Sequence, residues 1–188
     1  MELSIKRGTP RKQKTACIIA AVYSGKTLSN DANDIDKASR GALRRIVKRG
    51  DLTGKLAGTV LLPDVNGIDG ERVLLVGAGK RSGIDAAEYR QLLRKSADAL
   101  KQCKVRNAVS TLLCVEVHDR DTQWKLDQHV LIFSESTYRF DEHKSKKRTP
   151  GLRQLGFLYV GESATKVRRA IKISRAKMLG VTFMKDLA

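Results

Sequence analysis

The chain has 188 residues, of which 41% are hydrophobic, and its mean hydropathy is −0.35. At this length one domain buries roughly 70% of its unfolded surface, so a hydrophobic core can form without disulfides or a structural metal. No apolar run approaches the ~20 residues that span a bilayer, which excludes membrane-spanning classes. The first residues also lack the apolar stretch of a signal peptide, and we therefore expect a cytoplasmic protein with no membrane partner.

The unusual property of the chain is its charge. It has 37 Lys and Arg residues against 20 Asp and Glu residues, a formal net charge of +17 and a pI near 10.1. An excess of this size creates a positive field that attracts polyanions, and nucleic acid is the expected partner. A basic surface that faces an acidic partner domain is the alternative interpretation.

Residues that bind metals or act as nucleophiles are few and dispersed. The cysteines are Cys17, Cys103 and Cys114. Their number is odd and their neighbours are apolar, which predicts reduced, buried thiols. The histidines are His118, His129 and His143. None has a His or Cys at metal-ligand spacing, so we expect no metal and no other cofactor in this chain.

The first third of the chain predicts two strands and a helix. Residues 2–6 alternate as in a short strand, and residues 16–22 form a nearly continuous apolar strand. Ser29 or Asn30 is a suitable amino-terminal cap for one helix that continues to Val47 and ends at Gly50. The polar side of its last turns is strongly basic, which in part reflects the preference for cations at a helix carboxyl end.

Residues 71–80 predict a strand buried on both faces that ends in a glycine turn, Gly77-Ala78-Gly79. A phosphate-binding Walker loop requires a glycine where Leu74 stands and a Ser or Thr where Arg81 stands. A dinucleotide-binding turn requires a third glycine at Ser82. These differences favour glycines that serve a tight turn and close packing. A nucleotide or ADP-ribose site remains an alternative.

The other elements complete a layered α/β pattern. We expect strands at residues 59–62, 107–117 and 152–160, and helices at residues 85–102, 121–136 and 163–187. The short loop after Pro63 favours an antiparallel neighbour, whereas the helix after Asp85 favours a parallel crossover. The last helix has Val167, Ala170, Ile171, Ser174, Met178 and Leu179 along one side. The predicted fold is a mixed, mostly parallel sheet flanked by helices.

Three basic clusters are the sites with the clearest functional signal: the helix end at residues 40–49, the loop at residues 144–148 and the helix at residues 166–177. The candidate DNA-contacting residues are Arg44, Arg45, Lys48, Arg49, Lys144, Lys146, Lys147, Arg148, Lys166, Arg168, Arg169 and Lys172. Each cluster alone is typical of a solvated face, but together they predict binding to the backbone of duplex DNA. None resembles a helix-turn-helix or a zinc finger, so base reading is not expected.

Several stretches, in this order, resemble the amino-terminal domain of the bacterial leucyl aminopeptidases of the cytosol aminopeptidase family. The stretches are residues 1–6, Arg72 to Lys80, Tyr89, Trp124, Tyr138-Arg139-Phe140-Asp141 with residues 144–147, and Gly180 with the closing Lys185-Asp186-Leu187-Ala188. The similarity covers essentially the whole chain. Its individual motifs are short, and their common order makes the resemblance specific.

The resemblance implies a macro-domain-like domain at residues 1–162 and a linker helix at residues 163–188 that leads to a peptidase domain absent from this sequence. In that family the peptidase domain uses two divalent metals (manganese or zinc), the protein forms a hexamer, and some bacterial members bind DNA. No catalytic residue can be transferred to this chain. We therefore expect a non-catalytic domain that supports assembly, contacts its own peptidase domain and binds duplex DNA. A purely structural module is the alternative.

Overall fold

A computed structural model of the chain describes residues 1–137, 151–158 and 164–187. The strands are β1 (Glu2–Lys6), β2 (Ile18–Tyr23), β3 (Thr27–Leu28), β4 (Thr59–Pro63), β5 (Arg72–Gly77), β6 (Asn107–Ser110) and β7 (Gln154–Leu158). The helices are α1 (Asn30–Ala38), α2 (Ala42–Arg49), α3 (Ala86–Gln102), α4 (Thr122–Thr137) and α5 (Ala164–Leu187). The strands form one sheet in the order β1-β7-β6-β2-β5-β4, and β3 pairs with β2 outside this path.

The sheet is mixed and mostly parallel, as predicted. Strands β1, β7, β6, β2 and β5 pair in parallel, whereas β4 pairs with β5 and β3 pairs with β2 in antiparallel orientation. Strand β5 is the predicted buried strand, and it lies one position from the edge strand β4. The short connection between β4 and β5 and the helical crossover from β5 to β6 account for these two orientations.

Helices cover both faces of the sheet because the interior strands are apolar on both sides. Ile19 and Ala21 of β2 belong to one hydrophobic cluster, which α3, α4 and α5 complete. Ile18 and Ala20 belong to a second cluster on the opposite face, which α1 and α2 complete. Successive side chains of a strand point to opposite faces, so one apolar run supplies both cores. The result is a three-layer α/β/α domain.

The predicted single helix between Ser29 and Gly50 is wrong, because the structure has two helices. Ser29 does cap α1, where its side chain accepts the Ala32 N–H, and Gly50 ends α2 at a φ of 97°. Between the helices, Arg40 and Gly41 have φ angles of 53° and 81°. Two consecutive residues in the left-handed region reverse the backbone, and a new helix starts at Ala42.

The strand predicted over residues 107–117 is also too long. Strand β6 ends at Ser110, and a 3₁₀ turn follows at Leu112–Cys114. The Ser110 hydroxyl accepts the Leu112 N–H at 3.2 Å, and the Thr111 hydroxyl donates to the Ile19 carbonyl at 3.0 Å. These side-chain bonds compete with the ladder of a longer strand. The turn also exposes Cys114, so the prediction that all three cysteines are buried is wrong.

Helix α5 packs against α4 and β1, and its contact side is close to the prediction. Val167, Ala170 and Ser174 are buried, whereas Leu179 is 57% exposed and lies off the contact side, contrary to expectation. The division into residues 1–162 and a linker helix at residues 163–188 stays a prediction. In the described part of the chain, no helix combines the length and apolar character needed to cross a bilayer.

Candidate nucleic-acid interface

The glycine turn after β5 is occupied by other parts of the backbone. The N–H groups of Gly77, Ala78 and Gly79 donate to the carbonyls of Gly58, Val22 and Gly54 at 2.7, 2.8 and 3.1 Å. A Cβ atom at Gly77 would lie 1.9 Å from the Lys55 carbonyl oxygen. Phosphate-binding turns present free N–H groups to the ligand, and these three are already bonded. This geometry supports the packing role for the turn.

Two of the four candidate cations of α2 are paired with neighbouring acidic groups. The Arg44 guanidinium lies 3.6 Å from a carboxylate oxygen of Asp36, whose side chain is 4% exposed. Arg49 forms a salt bridge and hydrogen bonds with Asp51. An arginine that is already paired has less to gain from a phosphate, because binding must first break the existing pair.

The other two predicted residues of α2 have different surroundings. The Arg45 guanidinium donates to the Arg40 carbonyl at 2.8 Å. Lys48 is exposed, and within the described residues its ammonium forms no salt bridge. Of the four predicted cations on α2, Lys48 and Arg45 therefore keep a positive charge without a carboxylate partner.

Three of the four candidate cations of α5 are described, and all three are exposed. Arg168, Arg169 and Lys172 lie on the solvent side of a helix whose buried stripe includes Val167 and Ala170. In the parts of the chain that the structure describes, none of these three cations has a carboxylate within 4.0 Å. They are available to an external anion.

Further along the same helix, Lys177 pairs with Asp127 of α4. Lys166 lies in α5, but its side chain is outside the described residues. Lys144, Lys146, Lys147 and Arg148 also lie outside the described residues. Their role in DNA binding stays a prediction.

The structure adds two cations that the sequence analysis missed. Lys6 at the end of β1 and Arg7 line an open cleft of about 440 Å³ together with Ile5, Gln13 and Arg168 of α5. Neither Lys6 nor Arg7 is among the candidate DNA-contacting residues of the sequence analysis. Only the packing of α5 beside β1, two elements at opposite ends of the chain, places Arg168 at the same cleft.

His129 belongs to a buried network. Its Nδ1 atom donates to the Lys125 carbonyl at 2.9 Å, and its Nε2 atom accepts the Ser110 hydroxyl at 3.2 Å. Burial lowers the pKa of His129 to about 4, although the bond to the Lys125 carbonyl acts in the opposite direction. Both ring nitrogens are used within the core, which gives this histidine a structural role.

Trp124 lies between two arginines at the start of α4. It is half-buried, and the Cζ atoms of Arg90 and Arg120 lie 5.3 and 5.4 Å from its ring centroid. Both arginines are therefore within cation–π distance. Across the described residues, no three His, Cys, Asp or Glu side chains come together in a group that could hold a metal ion.

Comparison with known proteins places this architecture in a family. Residues 19–147 match the model of the N-terminal domain of the cytosol aminopeptidase family. The chain belongs to the cytosol aminopeptidase family. It is also 38% identical over 190 aligned positions to a probable cytosol aminopeptidase of Methylobacillus flagellatus, a match that covers 100% of this chain and 38% of that protein. The predicted resemblance is therefore confirmed, and the cytosol aminopeptidase domain described here spans about two-fifths of its relative's length.

Solved structures confirm the fold. A mutant of tomato leucine aminopeptidase matches with a TM-score of 0.70 and 18% identity, over 97% of this chain and 37% of that chain. The macrodomain of Mycobacterium tuberculosis DarG matches with a TM-score of 0.61 and 12% identity, over 84% of this chain and 98% of that chain. At these identities the matches show architecture alone. The cytosol aminopeptidase domain is macro-domain-like, as predicted.

Proposed function

We propose that this chain is the non-catalytic amino-terminal domain of a leucyl aminopeptidase-like protein that removes amino-terminal residues from peptides. The match to the family's N-terminal domain and the 38% coverage of the M. flagellatus relative support a separate peptidase domain in the parent. That domain would hold two divalent metals, manganese or zinc. The domain described here would contact it and support a homo-oligomer in the cytoplasm.

Activity measurements on the 188-residue chain test the non-catalytic role. We expect no release of amino-terminal leucine from a peptide substrate, with or without added manganese or zinc. The full-length M. flagellatus relative, assayed under the same conditions, is the positive control. Metal-dependent turnover by the 188-residue chain, in proportion to its concentration through successive purification steps, would contradict the proposal.

We further propose that this domain binds the backbone of duplex DNA. The observation that supports this role is the set of exposed cations on α5 that have no carboxylate partner among the described residues, Arg168, Arg169 and Lys172. Lys and Arg that contact phosphates release condensed counterions, so binding requires no base contact.

A salt titration tests DNA binding. Fluorescence anisotropy of a labelled duplex should show binding at low salt, and log K should fall linearly with log salt by about 0.9 per phosphate contacted. A structural module whose basic face meets an acidic domain gives a different result. It would not bind the duplex at low salt, and this result would overturn the proposal.

A further inference from the structure

We propose that the phosphate backbone of DNA is held at one particular surface, the β1–α5 surface, which consists of Lys6, Arg7, Arg168, Lys172 and Arg175. This inference rests on the proposed DNA binding and assigns it a location. It also makes Lys6, Arg7 and Arg175, which the sequence analysis did not select, contact residues. The surface combines the basic cleft at the end of β1 with the adjoining flank of α5.

Among the residues that the structure describes, the cleft part of this surface is lined by cations and has no acidic side chain. Three of its five lining residues are positive, namely Lys6, Arg7 and Arg168, and the other two, Ile5 and Gln13, are neutral. Within the described residues, none of the three cations forms a salt bridge. Three like charges around one cleft repel one another, and an anion in the cleft would relieve this repulsion.

The backbone and side-chain stems around the cleft are already ordered. The Lys6 stem lies across Gly156 of β7, where an added Cβ atom would be 2.8 Å from the Lys6 Cγ atom. The buried Gln13 side chain donates from Nε2 to the Arg7 carbonyl at 2.8 Å and to the Thr9 carbonyl at 3.1 Å. Arg168 follows the buried Val167 on α5. Ordering before binding reduces the entropy that a ligand contact must overcome.

The charge continues from the cleft along one flank of α5. Arg168, Lys172 and Arg175 are exposed and spaced four and three residues apart, so they lie on the same side of the helix. Over these seven residues the helix rises about 10 Å. This length corresponds to about three nucleotides of one DNA strand at 3.4 Å each. A line of cations fits a polyanion better than a single phosphate group.

The α2 cluster differs in its pairing. Two of its four candidate cations, Arg44 and Arg49, are paired with Asp36 and Asp51. Helices α2 and α5 are both basic in sequence, so the number of cations alone does not show which of them contacts DNA. The pairing pattern assigns the DNA contact to the β1–α5 surface.

Two matched double variants of the 188-residue chain test this location. Arg7→Gln with Arg168→Gln removes two charges from the β1–α5 surface. Arg94→Gln with Lys95→Gln removes two charges from exposed positions on α3, which packs on the opposite side of α4 from α5. Thermal unfolding of both variants, compared with the wild type, confirms that all four substitutions leave the fold intact.

The affinity of the two variants for a DNA duplex then tests the location of the contact. Since each lost phosphate contact lowers the log–log salt slope by about 0.9, the first variant should have a slope smaller by about 1.8 and bind about 60-fold more weakly near 0.1 M salt. The second should stay close to wild type. Equal losses in both variants, or wild-type affinity in the first, would overturn the location while leaving DNA binding itself in place. Absence of binding by the wild type would overturn the proposed function.

Discussion

The Nε2 atom of His129 accepts a hydrogen bond from the Ser110 hydroxyl at 3.2 Å, in a part of the core where both residues are fully buried. The Ser110 oxygen in turn accepts the Leu112 N–H at 3.2 Å. On the opposite side of the ring, Nδ1 donates to the Lys125 carbonyl. The neutral imidazole thus joins α4 to the turn after β6. A second ring proton at Nε2 would require the Ser110 hydroxyl, which donates to this nitrogen, to turn and accept instead.

Acid should therefore destabilise the domain through His129. Its pKa is about 4 in the folded state and about 6.5 when unfolded, so the unfolded state binds the proton first as pH falls. The stability that neutral His129 contributes is fully present above pH ~6.5 and is lost as the pH falls toward ~4. At pH ~4.5 the loss in the free energy of unfolding is about 2 kcal/mol. Urea unfolding at neutral pH and at pH ~4.5 measures the change in the free energy of unfolding. Carboxylates contribute equally to this change in the wild type and in a His129→Gln variant, so the difference between the two proteins isolates His129.

The His129→Gln variant should be less stable at neutral pH but should show a pH dependence flatter by about 2 kcal/mol. His118 is exposed, and His118→Gln serves as the matched control that keeps the wild-type dependence. An identical pH dependence in wild type and His129→Gln would show that this histidine does not couple protonation to folding.

Asp36 is expected to stabilise the turn between α1 and α2, called the α1–α2 corner below. Its carboxylate accepts the Arg44 N–H at 2.8 Å, which satisfies a free donor in the first turn of α2, and it also pairs with the Arg44 guanidinium. Asp36→Ala should cost about 2 kcal/mol because a buried donor loses its acceptor. Asp36→Asn keeps an oxygen and should cost less.

Asp51→Ala provides the comparison for Asp36, since it removes an exposed, solvent-screened partner of Arg49 and should have a much smaller effect. Chemical denaturation of the three variants gives these free energies directly. If Asp36→Ala and Asp51→Ala had equal, small effects, the buried carboxylate would not be a determinant of the α1–α2 corner.

Gly77 and Gly180 should respond to alanine in opposite directions. A Cβ atom at Gly77 would lie 1.9 Å from the Lys55 carbonyl oxygen, a backbone atom that cannot move without displacing the segment that covers the turn. Gly77→Ala should therefore destabilise the domain by more than about 2 kcal/mol. At Gly180, within α5, nothing lies within 4 Å of an added Cβ atom.

Gly180→Ala should accordingly stabilise the domain by about 0.5–1 kcal/mol, because alanine has the higher helix propensity. Thermal unfolding distinguishes the pair by the sign of the change in Tm. A Gly77→Ala variant as stable as wild type would show that the turn has open space and would reopen the alternative of a ligand site there.

Local sequence signals predicted the elements but not the contacts between distant ones. Ser29 and Gly50 indicate helix ends because a serine caps a helix and a glycine adopts a positive φ, whatever lies around them. The apolar run of β5 likewise indicates a buried strand without knowledge of its neighbours. The break at Arg40 was missed because an arginine with a φ of 53° violates the usual residue preference. Asp36 of α1 accepts the Arg44 N–H of α2 across this break, a contact between two helices that the sequence does not reveal.

In the candidate site, too, the sequence predicts local features but not contacts between distant elements. The sequence identified Arg168 and Lys172 from their own helix, where charge spacing is local. It did not identify Lys6 as their neighbour, because α5 reaches β1 only through tertiary packing. It also could not show that Asp36 neutralises Arg44, since that pair depends on the turn between two helices. Charge counts predict a partner class, and the fold decides which charges remain free.

The basic segment at residues 144–148 gives the last prediction. If its cations contact DNA, they contact phosphates, because the sequence offers no base-reading motif there. Charge reversal at Lys146, Lys147 and Arg148 should therefore weaken binding to two duplexes of unrelated sequence by the same factor, as measured by anisotropy at one fixed salt concentration. A loss confined to one duplex would contradict backbone binding. Unchanged affinity for both would show that this segment makes no DNA contact and would leave the β1–α5 surface as the binding site.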